Sequence, residues 1–192
     1  MRIALAQINP TVGDLEGNSA IILDRARRAA EAGAKLVVFP ELALCGYTPR
    51  DLVEAPLFLD RSEQALERLA RETADLPVEA VVGYVGRASR ENGHRAANCA
   101  ALLSGGRVAF VQEKMLLPNY DVFDEWRHFS PAERQEVRPI AGRRVGLTIC
   151  EDVWNDPAFS PIAKGVTVTP DELPLEFSQK EGAPAPVTAK LH

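Results

Sequence analysis

An α/β fold is predicted for this chain, and three observations predict it. A short alternating run at Arg2–Ile8 meets Asn9-Pro10 and reads as a strand. Glu16–Ala32 then places Ile21, Ile22, Leu23, Ala26, Ala29 and Ala30 near helical spacing, with Gly33 where a C-cap belongs. Leu36-Val37-Val38-Phe39 is wholly apolar, the mark of a strand covered on both faces. Strand, helix and covered strand in that order make a β-α-β unit, which sets the class.

The remaining elements follow along the chain. Asp60–Leu76 reads as the next helix: Asp60 caps it, Leu66 and Leu69 share a face, and Pro77 follows its end. Ala80–Tyr84 is a strand. Ala96–Leu103 and Val108–Glu113 are two more, joined across Ser104-Gly105-Gly106-Arg107 by a turn whose glycines can take positive φ. Arg143–Ile149 is a further strand ending at Cys150. From Asp156 onward prolines stand at 157, 161, 170, 174, 184 and 186 without helical period, and Gly165–Thr169 is a weak strand candidate. A domain over residues 1–157 and a loose, unassigned tail over 158–192 are expected.

Bulk properties narrow the function classes. The 192 residues suffice for one domain with a sizeable core. A net charge of −5 supplies no basic patch, so neither nucleic acid nor an anionic membrane surface is an expected partner. The N-terminal apolar run is too short for a signal peptide, and no run approaches membrane-spanning length. Cys45, Cys99 and Cys150 are an odd number without CxxC spacing, which points to a reduced, cytoplasmic setting. His94, His128 and His192 show no ligand spacing, so no metal site is expected.

Three residues carry candidate chemistry. Glu41, Lys114 and Cys150 each follow an apolar strand, where working side chains of α/β sheets collect. A thiol, a carboxylate and an ammonium meeting there suit acyl transfer: the thiol attacks, the carboxylate takes its proton, and the cation holds the oxyanion. The backbone N–H of Glu151 is a candidate second oxyanion donor. Spacing alone does not decide this, because a lone Cys is more often a small buried hydrophobe and a strand-end Glu or Lys is usually solvated.

The surrounding words do decide it. Phe39-Pro40-Glu41-Leu42, Glu113-Lys114-Met115-Leu116-Leu117-Pro118 and Ile149-Cys150-Glu151-Asp152 resemble, in order, the three signatures of the nitrilase superfamily. The resemblance implies carbon–nitrogen bond hydrolysis by a triad of Glu41, Lys114 and Cys150, with Glu125 orienting the lysine. It also implies an α-β-β-α sandwich. Longer words, Cys45-Gly46-Tyr47-Thr48-Pro49-Arg50-Asp51-Leu52, Lys114–Glu125 and Cys150-Glu151-Asp152-Val153-Trp154, resemble the amidase part of the glutamine-dependent NAD synthetases. That family frees ammonia from glutamine for a synthetase domain that adenylates deamidated NAD. By position, Tyr120 is then expected in the glutamine pocket and Phe123 in its wall.

The likeness runs from Met1 to about Pro157, so the sandwich is expected to be incomplete at its C-terminal end and the synthetase domain absent. Glutamine and that domain, in the same or another chain, are the implied partners. No cofactor is implied for these residues, since ATP and magnesium belong with the synthetase domain. Ser104-Gly105-Gly106-Arg107 is not its pyrophosphate loop. The segment that grips the glutamine's amino-acid end in that family is not recognisable here, so weak turnover is expected, and uncovered sheet edges make association into a homo-oligomer a further expectation. The alternatives are a stand-alone amidase or carbamoylase of the superfamily, and an inactive remnant that only binds a partner.

Overall fold

The computed structural model describes residues 1–89 and 93–154, without the side chain of Trp154. The expected tail, its boundary at 157 and the Gly165–Thr169 strand lie outside the described residues.

Five strands form the main sheet in chain order: β1 (Ile3–Leu5), β2 (Leu36–Val38), β3 (Glu79–Arg87), β4 (Ala96–Ser104) and β5 (Arg107–Glu113). β1, β2 and β3 run parallel, while β4 and β5 return antiparallel, so β5 points the same way as β2. That direction brings the C-terminal ends of β2 and β5 to one end of the sheet. Gly105 and Gly106 turn β4 into β5 with φ of 58° and 78°, the geometry expected of a two-residue hairpin.

Alternation along the strands assigns the two faces. Val37, Ala80, Val82 and Ala101 pack with the buried side of α1 (Leu15–Glu31) and α2 (Pro56–Glu72). Leu36, Val81, Ala100 and Leu102 face the other way, onto Ile140, Leu147 and Ile149. Those residues belong to a small second sheet, β6 (Val137–Ile140) paired with β7 (Arg143–Gly146), and to the segment that leaves it. Helices, main sheet and second sheet are three layers of the expected α/β sandwich. The fold class stands.

Several boundaries differ from the sequence expectation. α2 begins at Pro56, four residues before Asp60, because proline is pre-set for the first helical position. Asp60 therefore lies one turn inside and pairs with Arg87 instead of capping. The helix ends at Glu72, where the Thr73 hydroxyl donates back to the carbonyls of Leu69 and Ala70 at 3.0 Å each. The strand expected over Arg143–Ile149 stops at Gly146, opposite Val137, the first residue of its antiparallel partner β6. Beyond it, the Ile149 N–H turns to the Asp152 carboxylate at 3.0 Å, and Cys150 opens a 3-10 turn, Cys150–Trp154.

Candidate active site

Glu41 stands three residues past β2, in a turn that crosses the middle of β3. The crossing is possible because residue 83 is glycine. A Cβ there would sit 2.4 Å from Leu42 N and 2.5 Å from the Pro40 carbonyl oxygen. Leu42, next to Glu41, takes φ of 51° to complete the turn. Lys114 follows β5 directly, and its backbone N–H donates to the Asn98 carbonyl on β4 at 2.8 Å.

These placements bring three sequence-expected residues into one cluster. The Lys114 side chain is fully buried, and its Nζ donates to Glu41 Oε1 at 2.7 Å and to Glu125 Oε1 at 3.0 Å. Burial pulls the lysine pKa down, but the two carboxylates outweigh it and the net direction is up. Lys114 is therefore a fixed ammonium at neutral pH. Burial pushes the Glu125 carboxyl above the usual range, with the Lys114 charge opposing. The Tyr47 hydroxyl also donates to Glu125 Oε1, at 3.2 Å.

Cys150 joins this cluster from the 3-10 turn that follows the second sheet. It shares with Glu41, Gly83 and Ile149 a cavity of about 120 Å³. Cys150 is exposed, whereas Cys45 and Cys99 are buried. Its backbone φ is 46°, in the left-handed region that few side chains adopt. Although the residue as a whole is exposed, partial desolvation of the thiol raises its pKa first, and the neighbouring Glu41 charge adds to that. The resting group is thus a thiol with a carboxylate beside it. Glu151 is the second residue of the 3-10 turn, where a backbone N–H has no partner within the turn.

Tyr120 packs edge-on against Phe123 at 5.6 Å between centroids, and the Tyr47 ring lies 6.3 Å from Phe123. The Tyr120 hydroxyl donates to Glu151 Oε2 at 2.8 Å. Tyr120 and Phe123 thus sit over the same end of the sheet as Glu125, with Tyr47 as an unforeseen neighbour. His128 pairs with Glu54 at 3.0 Å, and His192 lies outside the described residues. Among the described residues no group of three His, Cys, Asp or Glu side chains is placed to hold a metal.

Sequence reasoning missed Asn98, Asp152 and Gly83 as parts of the site. Asn98 donates to Glu41 Oε1 at 2.6 Å from full burial on β4. Asp152 accepts from Met115, Leu116 and Ile149 backbone N–H groups. The available signal was an asparagine inside the otherwise apolar run Ala96–Leu103.

The carbon-nitrogen hydrolase family model matches residues 2–165. The chain belongs to this family. It is similar to the glutamine-dependent NAD(+) synthetases of Thermotoga maritima and Synechocystis, each at 42% identity, over 81% and 82% of this chain. It spans only about a quarter of those relatives, 26% and 28% of their lengths. Among solved structures, the glutamine-dependent NAD+ synthetase of Acinetobacter baumannii superposes with a TM-score of 0.68 at 33% identity, covering 79% of this chain and 28% of that one. An amidase from Nesterenkonia sp. superposes equally well at 30% identity, covering 82% and 58%. A mutant of that amidase shows acrylamide added at its active site cysteine.

A carbon-nitrogen hydrolase needs a nucleophile, a proton acceptor and a stabiliser for the oxyanion. Thiol, carboxylate and ammonium of the required types lie here within one cluster. Among the described residues no helix is long and apolar enough to cross a membrane.

Proposed function

We propose that this carbon-nitrogen hydrolase releases ammonia from the side-chain amide of glutamine, with Cys150 as nucleophile, Glu41 as base and Lys114 as oxyanion partner. The observation that carries the reading is the buried Lys114 ammonium between Glu41 and Glu125, with the exposed Cys150 thiol on the Glu41 side. Glu41 takes the thiol proton as sulfur bonds to the amide carbon. The oxyanion rests against Lys114 and the Glu151 N–H. Collapse breaks the C–N bond, with the Glu41 proton going to the nitrogen, which leaves as ammonia. Water then adds to the γ-glutamyl thioester, giving its proton to Glu41; the C–S bond breaks, the sulfur regains a proton, and glutamate departs.

In this reading Glu125 fixes Lys114, and Tyr120 and Phe123 wall the glutamine pocket. The ammonia serves a synthetase domain that uses ATP and magnesium to convert deamido-NAD to NAD, in a reducing cytoplasmic setting. Support for glutamine comes from the 42% identity to glutamine-dependent NAD(+) synthetases. Cys150→Ala should abolish ammonia release and remove the acyl adduct seen by mass spectrometry, while Cys45→Ala and Cys99→Ala keep both. An adduct on Cys45 or Cys99 refutes the assignment.

A second reading, a free-standing amidase acting on another carboxamide, is favoured by the equal superposition of the Nesterenkonia amidase. Comparing hydrolysis of glutamine, asparagine and simple aliphatic amides separates the two. A preference for the aliphatic amides supports the second.

A further inference from the structure

We propose that Asn98 is a positioning residue that commits one oxygen of Glu41 and so selects the other as the working base; the proposal rests on the reading of Glu41 given above. Asn98 is fully buried on β4, in register with Ala100 and Leu102 on the face that meets the second sheet. Its Nδ2 donates to Glu41 Oε1 at 2.6 Å. The Lys114 ammonium donates to that same oxygen at 2.7 Å. Both donors therefore end on Oε1, and Oε2 is left uncommitted by them.

The direction of the amide follows from chemistry. An ionised carboxylate only accepts, so the NH2 end of Asn98 must face Glu41. The other end, Oδ1, is buried without a hydrogen-bond partner among the described residues. A buried amide that satisfies one end only is a poor choice for stability, since an apolar side chain of similar size leaves nothing unpaired. The residue makes sense through what its satisfied end does to Glu41.

The backbone of Asn98 adds a second link. Its carbonyl accepts the Lys114 N–H at 2.8 Å, so one residue sets the places of both Glu41 and Lys114. A carboxylate with one oxygen pinned by two donors cannot rotate to present that oxygen to the thiol. Oε2 is then the oxygen left for the thiol, and Glu41 and Cys150 line the same cavity, as a base that must stay within reach of its proton requires.

The test uses the full chain and γ-glutamyl-p-nitroanilide, whose coloured amine reports C–N cleavage. Wild type, Asn98→Leu, Glu41→Gln and the double variant are compared, with thermal melting of each. Asn98→Leu should lower kcat about tenfold or more, with KM little changed and melting unchanged or raised. In the Glu41→Gln background the same substitution should cost nothing further, because no base remains to be aimed. Asn98→Leu at wild-type rate, or an equal loss in both backgrounds, overturns the role of Asn98 alone. Glu41→Gln at wild-type rate, or no cleavage by wild type, overturns the reading of Glu41 and the proposal with it. If Asn98→Leu fails to fold, Asn98→Ala in the same cycle gives the same decision.

Discussion

The Asp152 carboxylate accepts the backbone N–H of Leu116 at 2.8 Å, across 36 residues of sequence. The same oxygen takes the Met115 N–H at 3.1 Å, and the other takes Ile149 at 3.0 Å. One buried side chain thereby fastens the loop after Lys114 to the turn that presents Cys150. Burial raises the Asp152 pKa, and the three N–H donors oppose that rise.

Asp152→Asn should loosen this joint. An amide turns one acceptor into a donor facing backbone N–H groups, and leaves at least one of them unpaired. Loss of about 1–3 kcal/mol is expected in denaturant unfolding. Unchanged stability would falsify the view that Asp152 holds the two segments together.

Gly83→Ala should injure the fold and the site together. The added Cβ meets the backbone of Pro40 and Leu42, which cannot give way as a side-chain end can. About 1–3 kcal/mol of stability should be lost, and amide cleavage should fall because the displaced turn carries Glu41. A melt and a cleavage assay on one preparation check both, and full activity in a stable variant contradicts the crossing geometry.

Alkylation by iodoacetamide should pick out one thiol. In the native protein Cys150 is exposed while Cys45 and Cys99 are buried, with burial pushing Cys45 up to about 12. Labelling of Cys150 should rise with pH around a midpoint above the ordinary thiol value, because partial desolvation of the sulfur and then the Glu41 charge disfavour the thiolate. Glu41→Gln removes that charge, so the midpoint should move down. A midpoint that moves up in this variant refutes the electrostatic account.

Lys114→Met should unbalance the buried carboxylates. Removing one partner of a buried ion pair costs about 3–5 kcal/mol at neutral pH. The Glu125 pKa is already raised by burial, and loss of the cation raises it further. A carboxyl whose folded pKa exceeds its unfolded value near 4.5 is held charged at a cost above the folded pKa. That cost shrinks as pH falls through the folded pKa toward 4.5. The gap between wild type and variant should therefore narrow on acidification, as urea unfolding at a series of pH values can show.

Which parts of this were legible in the sequence depended on the range of the interaction. Leu36–Phe39 and the Gly105-Gly106 turn are governed by neighbours along the chain, and both were readable. Glu41, Lys114 and Cys150 were only suggestive as strand-end residues, and it was the resemblance of the words around them to family signatures that singled them out. β6 stayed hidden because Pro139 argues against a strand, yet it faces solvent on a short edge where no ladder N–H is needed. Asn98, Asp152 and Gly83 act on segments 57, 36 and about 40 residues away, which no local pattern records.

Chain order adds a temporal consequence to the placement of Cys150 after the second sheet. During synthesis the carboxylate emerges first, the ammonium 73 residues later, and the thiol last. All five strands of the main sheet precede Cys150 in the chain, so the scaffold that places Glu41 and Lys114 is synthesised before the thiol. With the roles proposed above, a nascent chain shorter than 150 residues would lack its nucleophile and should release no ammonia however well it has folded.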